Sequence, residues 1–326
     1  MSESRVTVII CTEGKRPRFL ADALRSLASQ SVRPRVVVVV NRGPGTDRSQ
    51  AMDDAHELIE RAGFRWPEAL VVPGPGDSYA NGVNAALEHV GRLGVGRFVG
   101  FLDDDDVLYP GHVAKLLRAI TDPIEGFDAE GRPERAELPD AVYSDVLKTE
   151  CDPTTNEPRA QGAGHIFGGA FTVEALRVVN QRPLLGFLFR AEALRHVRVE
   201  RDHMCADWSI LLDLAWRGAR MLHVPGVSAE YRVRNGGNSN NDGGALNVDT
   251  VRVRAFWDRR WPGRVCPGCA GSRRVSMRGL FGSLPCGRCE GSGAVFACPT
   301  HSVYAADADG IEKLCGTCRG SGDVPA

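Results

Sequence analysis

The sequence predicts an α/β protein with a doubly wound, mostly parallel sheet and a small cysteine-rich module at its C-terminal end. Three observations lead to this prediction. Short apolar runs alternate with segments whose apolar residues recur at helical spacing, four Asp residues follow the fourth apolar run, and seven of the ten cysteines lie from Cys266 onward. The 326 residues, 43% of them hydrophobic, suffice for one full α/β domain and a small addition. We therefore predict two domains, residues 1–262 and residues 263–326.

Strand-and-helix units account for the first hundred residues. Val36–Val40 is an unbroken β-branched run, typical of a parallel strand buried on both faces. Pro17 suits the first turn of a helix, and apolar residues recur at helical spacing after it up to Gln30. Because strands and helices alternate, the sheet is expected to be parallel. The four predicted strands are Val6–Cys11, Val36–Val40, Leu70–Val72 and Arg97–Leu102.

The middle of the chain continues this pattern with more loops. Residues 122–139 are polar and contain Pro and Gly, which predicts a surface insertion. The periodicity predicts further helices over residues 108–120, 174–179, 191–197 and 207–217, and further strands over residues 141–145 and 184–189.

The run FVGFLDDDDVLYPGH carries the main chemical signal. Its four carboxylates, Asp103 to Asp106, follow a predicted buried strand and precede a predicted helix. Open α/β sheets bind ligands at the carboxyl ends of their parallel strands. Carboxylates there suit a divalent cation, which in turn suits the phosphates of a ligand. A solvated acidic turn is the alternative, because adjacent carboxylates repel one another.

The hydropathy and the charge of the sequence limit where the protein is expected to be located and what it is expected to bind. The N-terminus lacks the charged start and long apolar stretch of a signal peptide, and no segment resembles a membrane span. We therefore expect a cytoplasmic protein. The net charge is −1, yet residues 177–264 contain 15 Arg and nine acidic residues. This basic segment suits the phosphates of a nucleotide or nucleic acid, or is ordinary surface.

Five separated motifs occur in a specific order along the chain. They are VTVIICTEGKRPRFLADALRSLASQ, FLDDDDVLYPGH, NQRPLLGFLFRAEAL, ADWSILLDLAWRG and AEYRVRNGGNSN. Together they resemble the motifs of family 2 glycosyltransferases, which are inverting enzymes with a GT-A fold, and the resemblance covers about residues 5–260. It implies a nucleotide-sugar-binding fold and transfer of a sugar from a nucleoside-diphosphate sugar to an acceptor hydroxyl.

The resemblance assigns the acidic run to a metal. In that family the cluster holds Mn²⁺ or Mg²⁺ against the donor diphosphate, and LDDDD permits the pattern Asp-x-Asp-Asp. The implied metal ligands are Asp103, Asp105 and Asp106. A cation there neutralises charge that builds on the departing nucleoside diphosphate.

The resemblance also assigns donor-binding residues. Thr12 and Glu13 follow the first strand, where the family cradles the nucleoside. Asn41 stands where the family often has Asp, and Asn84 matches the Asn of an Arg-Asn pair whose Arg is missing here. A UDP-sugar is the favoured donor. The remaining donor-binding predictions are Asp103, Arg232 and Arg234, with an ordinary surface ion pair as the alternative for either Arg.

Asp207 in ADWSILLDLAWRG is the predicted catalytic base. The family has Glu-Asp followed by an aromatic residue at this helix start, and its Asp accepts the proton of the acceptor hydroxyl. Here Ala206 replaces the Glu. Helix capping by Asp207 is the alternative. Trp208 is expected either to contact the acceptor or to lie in the core.

The C-terminal cysteines resemble the zinc domain of DnaJ-type co-chaperones, built on CxxCxGxG repeats. Two closed tetrahedral sites with paired CxxC spacing are expected to be structural. Consecutive pairing is favoured over nested pairing, and redox-active or disulfide-linked pairs are the alternative. The predicted ligands of two Zn²⁺ are Cys266, Cys269, Cys286, Cys289, Cys298, His301, Cys315 and Cys318.

The sequence thus predicts a metal-dependent inverting glycosyltransferase with an appended double-zinc module. The acceptor is open: a glycan or lipid-linked sugar, a protein, or a modified nucleic acid. Two other functions stay open as well. One is a nucleotidyltransferase on a related scaffold, and the other is a non-catalytic scaffold that presents the zinc module.

Overall fold

The computed structural model describes residues 5–42, 45–76, 78–93, 96–127, 133–135, 138–151, 165–178, 180, 182–199 and 205–233, with short pieces between residues 253 and 325. By compactness the chain divides into two units. The first comprises residues 1–170 and 182–243, and the second residues 171–181 and 244–326. The predicted boundary between residues 262 and 263 stays a prediction.

The first unit is an α/β sheet domain. Its helices are α1 Pro17–Ala28, α2 Thr46–Arg61, α3 Tyr79–Leu93, α4 His112–Thr121, α6 Ala191–Leu194 and α7 Ala206–Trp216. Its strands are β1 Val6–Thr12, β2 Arg35–Val40, β3 Ala69–Pro73, β4 Phe98–Asp103, β5 Val107–Leu108, β6 Ile124–Phe127, β7 Pro133–Arg135, β8 Ala141–Glu150, β9 His165–Phe167, β10 Phe187–Arg190 and β11 Met221–Val233. The second unit contains helix α5 Val173–Val178 and strands β12 Arg264–Val265, β13 Arg274–Ser276, β14 Ser283–Pro285, β15 Ala294–Ala297 and β16 Asp323–Pro325.

Nine strands form the main sheet, in the order β3-β2-β1-β4-β10-β8-β11-β5, with β9 paired to β8. The first four strands of this order are parallel, and β8 and β11 are parallel to each other. Strand β10 runs antiparallel between β4 and β8. The predicted α/β class with a mostly parallel sheet is confirmed. The reversed β10 was not predicted, because its short apolar sequence gives no sign of direction.

The core explains why these segments adopt these structures. All five valines of Val36–Val40 are buried, as expected for a strand covered on both faces. Helix α1 buries Leu20, Ala23, Leu24 and Leu27 against the sheet, which is the helical spacing seen in the sequence. The predicted surface insertion over residues 122–139 contains the β6–β7 hairpin.

The buried amide of Gln30 fixes the segment that follows the acidic run. Its Nε2 donates to the Tyr109 carbonyl at 2.9 Å, and its Oε1 accepts from the Val113 amide at 3.1 Å. The Ser26 hydroxyl accepts from the Leu108 amide at 3.2 Å. Ser26 of α1 and Gln30, which follows this helix, therefore hold the segment that comes after the acidic turn. Within the described residues, no helix combines the length and apolar character needed to cross a bilayer.

Candidate active site

The acidic run forms a tight turn at the carboxyl end of β4. Strand β4 ends at Asp103, the Asp106 amide donates to the Asp103 carbonyl at 3.2 Å, and β5 then pairs with β11. Asp104 and Asp106 are buried, at 1% and 0% exposed, while the side chain of Asp105 is 17% exposed. The turn is thus largely internal, and the alternative of a solvated acidic turn is wrong.

Asp104 is held by the loop that follows β1. Its Oδ2 accepts from the Thr12 hydroxyl at 2.5 Å, and its Oδ1 lies 2.7 Å from an Arg16 guanidinium nitrogen. The Thr12 hydroxyl also accepts from the Gly14 amide at 3.0 Å. Thr12 therefore lies in the site, as predicted, and its hydroxyl is bonded to the one Asp that was not proposed as a ligand.

Asp103 is bonded to a residue that sequence reasoning missed. The Tyr79 hydroxyl donates to Asp103 Oδ1 at 2.7 Å. Burial and the neighbouring Asp105 charge raise the pKa of Asp103 to about 7, although the Tyr79 hydrogen bond acts in the opposite direction. Burial, together with the Asp103 charge, also raises the pKa of Tyr79 well above its usual value. The repulsion among these carboxylates is what a bound cation would relieve.

Asp106 has one bonded oxygen and one open oxygen. Its Oδ1 accepts from the Arg232 amide at 2.8 Å, whereas its buried Oδ2 has no hydrogen-bond partner among the described residues. Burial, then the charges of Asp105 and Asp103, raise the pKa of Asp106 well above its usual range. A buried carboxylate oxygen without a donor suits a cation, because burying it unpaired is costly.

The carboxylates therefore fit a divalent cation in chemistry and charge. Among the described residues, no three His, Cys, Asp or Glu side chains are arranged to hold a metal by themselves. This is compatible with Mg²⁺ or Mn²⁺ chemistry, because Mg²⁺ is usually held by one or two carboxylates together with water and substrate phosphates. The assignment of Asp103, Asp105 and Asp106 as its ligands stays a prediction.

Asp207 lies in the first turn of α7 and belongs to the same electrostatic cluster. Its charge contributes to the raised pKa values of Asp103, Tyr79 and Tyr231, after burial and closer groups. The residue at the N-cap of α7 is Cys205, whose side chain makes no capping hydrogen bond, so Asp207 is not the N-cap residue itself. In the first turn, the helix N-terminus favours the negative charge of Asp207.

Two predicted donor-binding amides hold loops together. Asn41 Nδ2 donates to the Ser78 carbonyl at 2.7 Å, and its Oδ1 accepts from the Gly76 amide at 2.9 Å. Gly82 approaches this side chain so closely that a Cβ on it would lie 2.9 Å from the Asn41 Cγ. Asn84 makes paired hydrogen bonds with the Val199 backbone, at 2.7 and 2.9 Å. In this structure, both side chains hold backbone segments in place through hydrogen bonds.

The other predicted residues have different environments. Exposed Glu13 pairs with Lys15. The guanidinium of Arg232 lies 3.3 Å from Glu230 and 3.5 Å from Asp22, so the ion-pair alternative describes this state. Trp208 is only 1% exposed and packs in the core, so its predicted contact with an acceptor is wrong and the core alternative holds.

Nine of the predicted site residues lie outside the described residues, and their assignments stay predictions. They are Arg234 and the eight proposed zinc ligands, Cys266, Cys269, Cys286, Cys289, Cys298, His301, Cys315 and Cys318.

Sequence reasoning missed Arg16 and Tyr79, which contact the acidic turn from other elements. Arg16 precedes α1 and lies 89 residues before Asp105, whereas Tyr79 begins α3 and lies 24 residues before Asp103. Both residues follow the ends of parallel strands, and such ends meet at one edge of the sheet. This relation becomes visible only when the strand order is known.

An open α/β sheet with a carboxylate cluster at its strand ends defines a ligand-binding α/β protein, with the site at the edge where such folds bind nucleotides. Residues 7–135 match the family model described as Glycosyl transferase family 2. The match spans less than half of the 326 residues. Together with the fold, it supports the conclusion that this chain is a glycosyltransferase. No curated protein sequence matches the chain.

Two solved structures illustrate what this chain is similar to. A structure titled S. aureus TarS 1-349 in complex with UDP is 16% identical, with a TM-score of 0.50 over 82% of this chain and 68% of that chain. The mannosyltransferase PcManGT from Pyrobaculum calidifontis, in complex with GDP-Man and Mn²⁺, is 18% identical, with a TM-score of 0.46 over 80% of this chain and 64% of that chain. At 16% identity, the likeness to TarS shows a shared fold.

Proposed function

We propose that this chain is a cation-dependent, inverting glycosyltransferase that moves a sugar from a nucleoside-diphosphate sugar to an acceptor hydroxyl. One observation carries the proposal: the acidic turn and Asp207, which come from distant parts of the chain, lie within electrostatic range of each other. The acidic turn follows β4, Asp207 begins α7, and the charge of Asp207 contributes to the raised pKa of Asp103. A transferase of this kind needs carboxylates for two tasks, one on the diphosphate and one on the acceptor.

The acidic turn suits the diphosphate. Asp105 is the proposed principal cation ligand because its side chain is 17% exposed, and Asp103 and Asp106 support it. A divalent cation bound there would offset the charge that develops on the departing nucleoside diphosphate. Tyr79 positions the Asp103 carboxylate through its 2.7 Å hydrogen bond.

Asp207 suits the acceptor. Its carboxylate is proposed to accept the proton of the acceptor hydroxyl as the hydroxyl oxygen forms the new glycosidic bond. A single displacement with one base on the acceptor side gives an inverted product. The first turn of α7 is a favourable place for this charge, because the helix N-terminus attracts anions.

The donor pocket is proposed to lie along the loops after β1, β2 and β3. Thr12 and Glu13 contribute the first loop. Arg232 would bind the diphosphate after leaving Glu230 and Asp22, and Arg234 is proposed to join it. Asn41 and Asn84 would shape the pocket by positioning the backbone of Gly76, Ser78 and Val199. A UDP-sugar is the proposed donor, supported by the UDP complex of the similar TarS structure.

The C-terminal module is proposed to bind two structural Zn²⁺ and to take part in acceptor recognition. Elemental analysis of the purified full chain should then find two zinc ions per chain. Deleting residues 264–326 should weaken acceptor use and leave donor hydrolysis intact. Equal loss of both activities would instead indicate a purely structural role for the module.

A donor-hydrolysis panel with the full chain tests the enzymatic proposal. UDP-, GDP- and dTDP-sugars are supplied with Mn²⁺ or with chelator, and release of nucleoside diphosphate is measured. We expect cation-dependent release from one donor class, loss of release in Asp105→Ala, and normal release in Asp53→Asn, whose carboxylate is exposed on α2. No release together with no sugar-nucleotide binding by calorimetry would contradict the proposal and favour the non-catalytic scaffold.

A further inference from the structure

Arg16 bridges two carboxylates of the acidic turn. One of its terminal nitrogens lies 2.7 Å from Asp104 Oδ1, and the other donates to Asp105 Oδ2 at 2.5 Å. The exposed fractions of the three side chains are 33% for Arg16, 17% for Asp105 and 1% for Asp104. A forked guanidinium between two partly or fully buried carboxylates is a strong form of ion pair.

The loop after β1 delivers Arg16 to this position. Thr12 anchors the start of the loop through its hydrogen bonds to Asp104 and Gly14, and Pro17 starts α1 at its end. The other loop cation, Lys15, is exposed and pairs with Glu13. Burial disfavours the charge on Arg16, yet the charges of Asp104, Asp105 and Asp103 outweigh it and raise the pKa of Arg16.

Asp105 is one of the two carboxylates of the turn that are partly exposed, and Asp103 is the other. Asp104 has both oxygens engaged, by Thr12 and by Arg16, and is almost fully buried. Asp106 is completely buried. A divalent ion approaching from solvent therefore meets Asp103, which accepts a hydrogen bond from Tyr79, and Asp105, one oxygen of which is already bound by Arg16.

We propose that Arg16 is the resident countercation of the acidic turn, and that it competes with the divalent cation for Asp105. The inference rests on the proposed cation-dependent function. On cation binding, Arg16 releases Asp105 and keeps Asp104, which leaves N–H groups of its fork available to the donor diphosphate. The cation would bind Asp105 after Arg16 has left it, and the donor phosphates would bind the N–H groups that Arg16 then has available. Binding of the cation and binding of the donor phosphates therefore favour each other.

Binding of Mn²⁺ alone tests the competition without any turnover. The free Mn²⁺ signal is followed by electron paramagnetic resonance during titration of the full chain, in the absence of nucleotide. We expect Arg16→Gln to bind Mn²⁺ about tenfold more tightly than wild type, a change equivalent to about 1.4 kcal/mol. Arg18→Gln is the matched control, because Arg18 is exposed two residues further along the chain, in the first turn of α1. It should bind like wild type.

Two further variants keep the test decisive. Arg16→Lys retains one positive charge but cannot form the fork, so it should bind Mn²⁺ roughly threefold more tightly than wild type even if Arg16→Gln folds poorly. Asp105→Asn should abolish binding in both the wild-type and the Arg16→Gln backgrounds. Equal or weaker binding in both Arg16 variants overturns the inference alone. Absence of binding in every variant without nucleotide, together with binding that Arg16→Gln does not change when UDP is added, also overturns the inference alone. Absence of binding in every variant both without and with UDP overturns it together with the cation dependence of the proposed function.

Discussion

Replacing Thr12 by Val removes the hydroxyl that joins the β1 loop to the acidic turn and keeps nearly the same shape. The hydroxyl makes two hydrogen bonds, donating to Asp104 at 2.5 Å and accepting from Gly14 at 3.0 Å. Asp104 is 1% exposed, so water cannot replace the lost donor in the folded state. The substitution should therefore leave a buried carboxylate short of one partner.

The expected loss in the free energy of unfolding follows from these two hydrogen bonds. A hydrogen bond to a charged group contributes about 1.5–3 kcal/mol, and a neutral one contributes about 0.5–1.5 kcal/mol. We expect Thr12→Val to lower the free energy of unfolding by about 2–4 kcal/mol, a large part of the roughly 5–15 kcal/mol typical of a domain. Thr12→Ser keeps the hydroxyl, so its loss should stay below about 1 kcal/mol.

Urea unfolding measures both variants, with tryptophan fluorescence as the signal because Trp208 is buried in the same unit. The transition midpoints of wild type, Thr12→Val and Thr12→Ser are compared at constant slope. Equal midpoints for the two variants would refute the reasoning, since the hydroxyl would then contribute nothing measurable to the buried Asp104.

Three other predictions follow from the site and its surroundings. Asp207→Asn should lower kcat by about 10²–10⁴-fold with little change in donor KM, measured by steady-state kinetics, and a change confined to KM would contradict its role as base. Asp106→Asn should raise the thermal midpoint without cation, because it removes the cost of burying a carboxylate, which is also what raises the pKa of Asp106. This variant should lose the stabilisation that Mn²⁺ gives wild type. A lowered midpoint without cation would contradict the prediction. Burial lowers the pKa of His112 from 6.5 to about 4, so the unfolded chain takes up a proton below pH 6.5 that the folded chain resists. Relative to His112→Gln, wild type should therefore lose up to roughly 3 kcal/mol of stability between pH 6.5 and 4, as measured by urea unfolding of both proteins at several pH values.

The sequence was most informative where one local pattern determines structure. The valine run predicted a doubly buried strand over residues 36–40, and the observed strand is Arg35–Val40. Pro17 and the apolar spacing after it predicted a helix from Pro17, and α1 begins there. The acidic run lies at the end of β4 as expected, because the preceding apolar strand and the following helix set its position.

The roles of individual carboxylates were harder to predict. Four identical residues in a turn have no periodicity, so the sequence cannot show that Asp104 points to Thr12 and Arg16 while Asp106 points to the Arg232 amide. Contacts such as the one between Tyr79 and Asp103 depend on the strand order, which only the folded sheet reveals. The reversed β10 is the clearest example, because it separates β4 from β8 in the sheet.

The short length of the acidic turn has a consequence for protein engineering. Only Asp104 to Asp106 separate β4, which is paired on both sides, from β5, which pairs with β11. An inserted or deleted residue would have to break one of these pairings, so the turn should accept changes of side chain but not changes of length. A library that aims to alter cation or donor preference should therefore randomise these three positions at fixed spacing.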